Sequence, residues 1–301
     1  MFKIYTHPSC LRHDTGPGHP ERAARLETLL KLFDEMKLKT TPAREVEMNE
    51  LLRAHPQKYI DAVQESIPDH GLVYLDPDTV ASPGTWDAAL YAAGAVCQAV
   101  DDVLSNKCTR AFCAVRPPGH HAFPDHPEGF CIFANVAIGA LHALQKIKRV
   151  AIADFDVHHG NGTDFIARQH EGIFFSSTHQ WPMYPQTGLP EDNIAGRVIN
   201  ALLPAGAGST EFRVAWMEIL KHMDAFKPEL IMVSAGFDAH RDDPLAQINL
   251  TEDDYAWITG ELVKLANKHC GGKIVSTLEG GYDLAALKNS VAAHLKALTP
   301  S

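Results

Sequence analysis

Apolar residues recur along this chain in two rhythms, one at three- to four-residue spacing and one in short unbroken runs. Between Glu21 and Lys37, the residues Leu26, Leu29, Leu30, Phe33 and Met36 share one helical face behind His19-Pro20, which predicts a helix. Thr85 to Leu104 repeats the pattern with Trp86, Ala89, Leu90, Ala93, Val96 and Val100, after Ser82-Pro83. Phe212, Trp216, Leu220 and Met223 mark a third stripe. Thr251-Glu252-Asp253-Asp254 reads as the capped start of a helix running towards Lys268.

The unbroken runs are Ala111 to Val115, Val150 to Ala153, Leu230 to Val233 and Ile274 to Leu278. Each stops at polar or turn residues: Arg116-Pro117-Pro118, Asp154, Ser234-Ala235-Gly236 and Glu279-Gly280-Gly281. Strands alternating with helices predict an α/β fold whose parallel sheet is covered on both faces. Sheets of this kind place ligands beyond the carboxyl ends of their strands. No repeat, low-complexity tract or linker divides the chain, so one domain over residues 1–301 is expected.

Composition narrows the partners. At 45% hydrophobic residues there is ample material for a packed core. No run approaches the about 18 apolar residues of a membrane helix, and the start lacks the charged and apolar segments of a secretory signal. The six cysteines are scattered without a CxxC pair, which fits reduced thiols and a cytoplasmic location. A net charge of −10 with no Lys/Arg cluster points away from direct nucleic-acid binding. The 17 histidines are more informative, because several stand beside Asp and Gly in short clusters.

In Asp154-Phe155-Asp156-Val157-His158-His159-Gly160-Asn161-Gly162, residues 154, 156 and 158 share one side if the chain stays extended. Asp156 and His158 then address one ion, and Asp238, in Gly236-Phe237-Asp238, supplies a third ligand from another strand end. An isolated Asp-x-His is a common surface pair. Two acids among apolar residues, followed by His-His-Gly-x-Gly, are harder to explain as packing, because buried carboxylates are costly unless paired or metal-bound. Three protein ligands leave a position open, as in a catalytic zinc site.

Arg116-Pro117-Pro118-Gly119-His120-His121 follows another strand and holds two histidines on a stiffened approach. Two carboxylates and one neutral imidazole cancel the charge of Zn²⁺, so bound water is less acidified than in a three-histidine site, and an external base is needed. Asp154 against His120 would hold that imidazole cationic, while Asn161 would orient His121 without adding charge. Glu279-Gly280-Gly281-Tyr282 ends a further strand, where the glycines let a phenol approach the metal and donate to a developing oxyanion.

These motifs, with Thr15 to Arg22, Gly129-Phe130-Cys131 and Asp243-Pro244-Leu245, stand in an order that resembles the histone deacetylase superfamily over nearly the whole chain. Asn161 and the Gly-His-Pro-Glu-Arg segment are similar to its class II branch. The resemblance implies an arginase-like, three-layer catalytic domain with a central eight-stranded, mainly parallel sheet, one Zn²⁺ per chain and a structural K⁺. It implies Asp156, His158 and Asp238 as zinc ligands, His120 and His121 as tandem histidines, and Tyr282 as the carbonyl-polarising phenol. Asp154, Asp156, His158, Ser177 and Thr178 match the potassium site. Gly129, Phe130 and Tyr184 match the acyl channel, with Leu245 at its mouth, Asp78 on its rim and Arg22 at the product exit. Tyr184 stands where phenylalanine is usual, and the loop before it looks short.

The expected activity is hydrolysis of the amide of an acylated amine, foremost acetyl-lysine, releasing acetate. Three other readings stay open: an acetylpolyamine or other small-molecule amidohydrolase, an arginase-like dimanganese hydrolase drawing on Asp238-x-His240-x-Asp242, and an inactive module that binds acyl amines. Oligomeric state and acyl length are not legible in the sequence.

Overall fold

In the computed structural model, which describes residues 1–299, the chain alternates strand and helix almost throughout. The strands are β1 (Phe2–Thr6), β2 (Thr40–Pro42), β3 (Val73–Tyr74), β4 (Val80–Ala81), β5 (Arg110–Cys113), β6 (Val150–Asp154), β7 (Ile173–Trp181), β8 (Val198–Pro204), β9 (Leu230–Ala235) and β10 (Ile274–Leu278). The helices are α1 (Ala23–Glu35), α2 (Met48–Leu51), α3 (Gln57–Glu65), α4 (Thr85–Leu104), α5 (Asn135–Ala143), α6 (Asn161–Arg168), α7 (Ser209–Phe226), α8 (Glu252–His269) and α9 (Leu284–Leu298).

Eight strands form one sheet in the order β2-β1-β5-β10-β9-β6-β7-β8, and β3 and β4 make a separate antiparallel hairpin. Every pairing in the large sheet is parallel. The four runs expected as strands are β5, β6, β9 and β10, and they sit together at its centre. They are buried on both faces, which is why their sequences read as continuous apolar runs rather than alternating ones. The helices predicted from periodicity are α1, α4, α7 and α8, the last opened by a Thr251/Asp254 capping box. Among the described residues no helix is long and apolar enough to cross a membrane.

Strand order fixes the place of the site. From β6 the chain moves outward to β7 and β8, then returns to lay β9 on the other side of β6. The loops after β6 and β9 therefore leave neighbouring strand ends in opposite directions, which opens a crevice there. β10 lies beside β9, and β5 beside β10, so the loops carrying Asp156, Asp238, Tyr282 and the tandem histidines line one continuous edge.

Candidate active site

β6 ends at Asp154, so Asp156 and His158 lie in a bend rather than on an extended strand. Their convergence has a different cause from strand periodicity. The Asp154 carboxylate accepts the Asp156 N–H at 3.1 Å, and the Asp156 carboxylate accepts the His158 N–H at 2.9 Å, two successive turns in which an aspartate caps its own loop. Neighbouring loops lock onto the result: Asp238 accepts the Val157 N–H at 2.9 Å, and Asp156 accepts the Gly280 N–H at 2.8 Å. A Cβ on Gly280 would come to 2.0 Å of Asp238 Oδ2, and one on Gly236 to 2.0 Å of Asp156 Oδ2. Glycine at both positions lets the backbone close on the two carboxylates.

His158 Nδ1 stands 3.1 Å from Asp156 Oδ1 and 3.1 Å from Asp238 Oδ2, and these three side chains form a buried group of metal-type donors. Two ligands about 2.0 Å from a tetrahedral zinc stand about 3.3 Å apart, so the spacing suits one small cation. Burial alone would lower the His158 pKa, but the Asp156 and Asp238 hydrogen bonds outweigh it and raise the ring to about 10. Burial, then the charge of Asp156, pushes Asp238 up. Two buried acids and an imidazole that draw in a proton this way also fit a divalent ion.

The tandem histidines meet the cluster from β5. His120 Nδ1 lies 3.0 Å from Asp154 Oδ2, and His121 Nδ1 lies 2.8 Å from Asn161 Oδ1, as the sequence suggested. Burial opposes a charge on His120, yet Asp156 and Asp154 outweigh it and raise its pKa to about 10. His121 goes the other way, lowered well below its ordinary value by burial and then by the charges of His120 and His158. Their loop is held by Glu279, whose buried carboxylate accepts the Gly119 N–H at 2.7 Å and the His120 N–H at 3.2 Å.

Tyr282 is 8% exposed, and burial, then the charge of Asp238, holds its phenol well above the ordinary pKa, so it remains a donor. Asp243 fixes it by accepting the Tyr282 N–H at 2.7 Å, and accepts the Leu245 N–H at 3.0 Å with its other oxygen. A cavity of about 290 Å³ runs from Asp78, Tyr184 and Leu245 on the exposed side to His121, His158 and Tyr282 on the buried side. Gly129 and Phe130 wall it from a tight turn closed by paired Glu128 and Cys131 main-chain hydrogen bonds of 3.1 and 2.9 Å. Both central residues are left-handed, with φ of +56° and +68°. Phe130 takes a conformation unfavourable to a bulky residue, and its ring faces Tyr282 with centroids 5.9 Å apart. A Cβ on Gly129 would meet His121 Cδ2 at 2.4 Å.

Some expected residues fall elsewhere. Arg22 is exposed at the start of α1 and does not reach the interior; Arg25, one turn later, does. The Arg25 guanidinium lies 5.0 Å from the Tyr282 ring centroid and donates to the Glu279 and Gly281 carbonyls. Glu21 binds both Arg25 and Arg116, and all three side chains are fully buried. His19 supports the rim instead, with its ring edge-on to Phe130 and Nε2 3.2 Å from the Asp78 carbonyl. Ser177 pairs in register with Asp154, while the Thr178 hydroxyl accepts a hydrogen bond from Trp216. Arg25, Glu279, Asp243 and Glu128 were missed by sequence reasoning, although each stands within or beside a quoted motif.

Two other groups of donors are already engaged by protein partners. His159 is engaged by Asp164 and Thr187, and Asn161 by His121 and Glu128, so the residues after His158 do not offer a second ion its ligands. Glu50, Cys97 and His142 also cluster, but Arg44 binds both Glu50 oxygens and Arg53 and Asp101 take the His142 nitrogens, which makes the group an ion-pair network.

Residues 19–298 match the family described as histone deacetylase domain. A probable deacetylase of Archaeoglobus fulgidus is 36% identical over 293 residues, covering 93% of this chain and 81% of that protein. A histone deacetylase-like amidohydrolase of Pseudomonas aeruginosa is 34% identical, covering 92% of this chain and 80% of its own. Among solved structures, the HDA15 HD domain superposes with a TM-score of 0.91 at 32% identity, over 98% of this chain and 90% of that one. Donors clustered at a parallel-sheet switch point, histidines beside them, and similarity of this extent show that the chain belongs to the histone deacetylase family, enzymes that hydrolyse amides.

Proposed function

We propose that this chain is a zinc-dependent amidohydrolase, acting as a single catalytic domain, that removes the acyl group of an acylated amine, foremost acetyl-lysine. The observation that carries the reading is the convergence of Asp156, His158 and Asp238 at the buried end of a narrow cavity that His121 and Tyr282 also line. The family implies a metal cofactor, and the donor set fits Zn²⁺, which when bound by these three residues supplies Lewis acidity to an acyl carbonyl and to water.

The remaining steps belong to side chains. Phe130 and Tyr184 enclose the methylenes of an acylated side chain and keep water from them. The neutral His121 accepts a proton at Nε2 from the attacking water, because Nδ1 is turned to Asn161. His120, paired with Asp154, stays cationic and favours negative charge developing nearby. The Tyr282 hydroxyl donates to the oxygen of the former carbonyl. His121 then returns its proton to the leaving amine, which completes hydrolysis without a covalent enzyme intermediate. K⁺ beside Asp154, Asp156, His158, Ser177 and Thr178 belongs to the same reading, supported by the register that sets Ser177 next to Asp154.

Substrate choice rests on the rim. Leu245 is apolar and favours an acylated lysine over a polyamine, whose second amine would want a carboxylate there. Asp78 lines the rim of the same cavity, where its carboxylate would hold the backbone amides of a peptide, which favours the same reading. Turnover of acetyl-lysine peptides, longer acyl-lysine peptides and N-acetylated polyamines by zinc-loaded protein decides between them. Faster turnover of the polyamines would reverse the assignment, and no turnover of any of them would leave an acyl-amine-binding module.

A further inference from the structure

An asparagine amide has two ends of nearly equal shape, so its orientation is set by its partners. Asn161 Nδ2 donates to Glu128 Oε1 at 2.8 Å, and the other end places Oδ1 2.8 Å from His121 Nδ1. A reversed amide would set its oxygen against the Glu128 carboxylate and its NH₂ against the imidazole. With Oδ1 facing it, His121 Nδ1 must carry the hydrogen, which leaves Nε2 as the lone pair.

We propose that Glu128 is a positioning residue that orients the Asn161 amide and thereby selects the His121 tautomer. The carboxylate is well placed for this. Its residue opens the turn whose main chain is tied twice to Cys131, and its Oε1 also accepts the Tyr184 hydroxyl at 3.1 Å. Its side chain is 24% exposed, with His126 Nε2 3.6 Å from Oε2, so a carboxylate is tolerated without a buried counter-charge. One oxygen therefore joins the channel wall, through Tyr184, to the asparagine behind the proton-accepting histidine. The sequence marked Gly129 and Phe130 for the channel but gave Glu128, one residue earlier, no role.

This inference rests on the reading of His121 as proton acceptor, and the test separates the two. In metal-free protein, ¹⁵N NMR of the His121 ring reports which nitrogen bears the proton, with no activity needed. The wild type is expected to show one Nδ1–H tautomer, and Glu128→Ala a mixture. In the zinc-loaded enzyme, Glu128→Ala is expected to lower kcat about 10-fold or more, the scale of losing a hydrogen bond to a charged group. Glu128→Gln, whose carbonyl still accepts from Asn161, is expected to recover most of that loss.

Asn161→Asp supplies a second control. A carboxylate presents an oxygen to His121 whichever way it turns, and it repels Glu128. In that background Glu128→Ala should restore kcat rather than lower it. A single Nδ1–H tautomer in Glu128→Ala, or the same kcat loss from Glu128→Ala in both backgrounds, overturns the proposal. Wild-type protein that hydrolyses none of the acyl substrates overturns the reading of His121 as base, and the tautomer measurement then judges Glu128 on its own.

Discussion

Glu21→Gln is expected to destabilise the protein by about 3–5 kcal/mol, the cost of removing one partner from a buried ion pair. Glu21, Arg25 and Arg116 are each 0% exposed, and the carboxylate takes hydrogen bonds of 2.5 and 2.8 Å from Arg116 and 3.1 Å from Arg25. Glutamine preserves the shape but leaves two buried guanidinium groups facing a neutral amide, one end of which is itself a donor. With an unfolding entropy of about 2.1 cal/mol/K per residue, a chain of this length loses about 5–8 °C in Tm. The effect must also depend on pH in a definite direction. Burial opposes ionisation of Glu21, but Arg116 and Arg25 prevail and lower its pKa from 4.5 to about 2. The stabilisation is therefore complete above pH 4.5 and fades as the pH falls through 2. Thermal and urea unfolding followed by circular dichroism, on wild type and variant from pH 7 down to pH 3, measure both. A Tm change below about 2 °C at neutral pH, or a gap that stays constant into acid, would refute the reasoning.

Three further outcomes are expected. Chelation should abolish turnover and lower Tm, and zinc should restore both; at a hundredfold excess over Kd the stabilisation is about 2.7 kcal/mol, so an unchanged Tm in differential scanning calorimetry would contradict an ion at Asp156, His158 and Asp238. His55 is lowered to about 4, and His179 and His294 to about 3, mainly by burial, so each contributes a loss of stability as the pH drops from 6.5; His294→Gln should remove one such contribution and change the pH slope of the unfolding free energy, measured by urea titration, by up to about 1.4 kcal/mol per pH unit. Arg25→Ala should impair kcat through Tyr282 and lower Tm, whereas Arg22→Ala should leave both near wild type; equal losses in steady-state assays would restore Arg22 to the inner cavity.

Local signals carried much of this protein. Continuous apolar runs announced β5, β6, β9 and β10 because a strand buried on both faces has no polar alternation to keep. α4 was legible from Thr85 to Leu104 because its periodicity is uninterrupted. β7 was not, since Ser176, Ser177, Thr178, His179 and Gln180 are polar yet buried, and that burial comes from neighbouring strands and helices. Within the site, the side chains proposed to do chemistry stood out because Asp, His and Tyr beside glycines at strand ends have few structural reasons to be there.

What the sequence determined by itself was therefore the set of chemical groups and the strand tips that carry them, since both depend on residues close together in the chain. Which groups meet was decided by tertiary structure. Asp238 reaches Asp156 only because β9 returns beside β6, and the bend that unites Asp156 with His158 is held by hydrogen bonds that tie three loops together, with Asp238 accepting from Val157 and Gly280 donating to Asp156. Arg25 rather than Arg22 turns inward because the helix starting at Ala23 sets which side faces the sheet. Contacts between residues a hundred or more positions apart leave no periodic trace in a single chain, so Glu279 beneath His120 and Arg25 beneath Tyr282 became visible only once the sheet had closed.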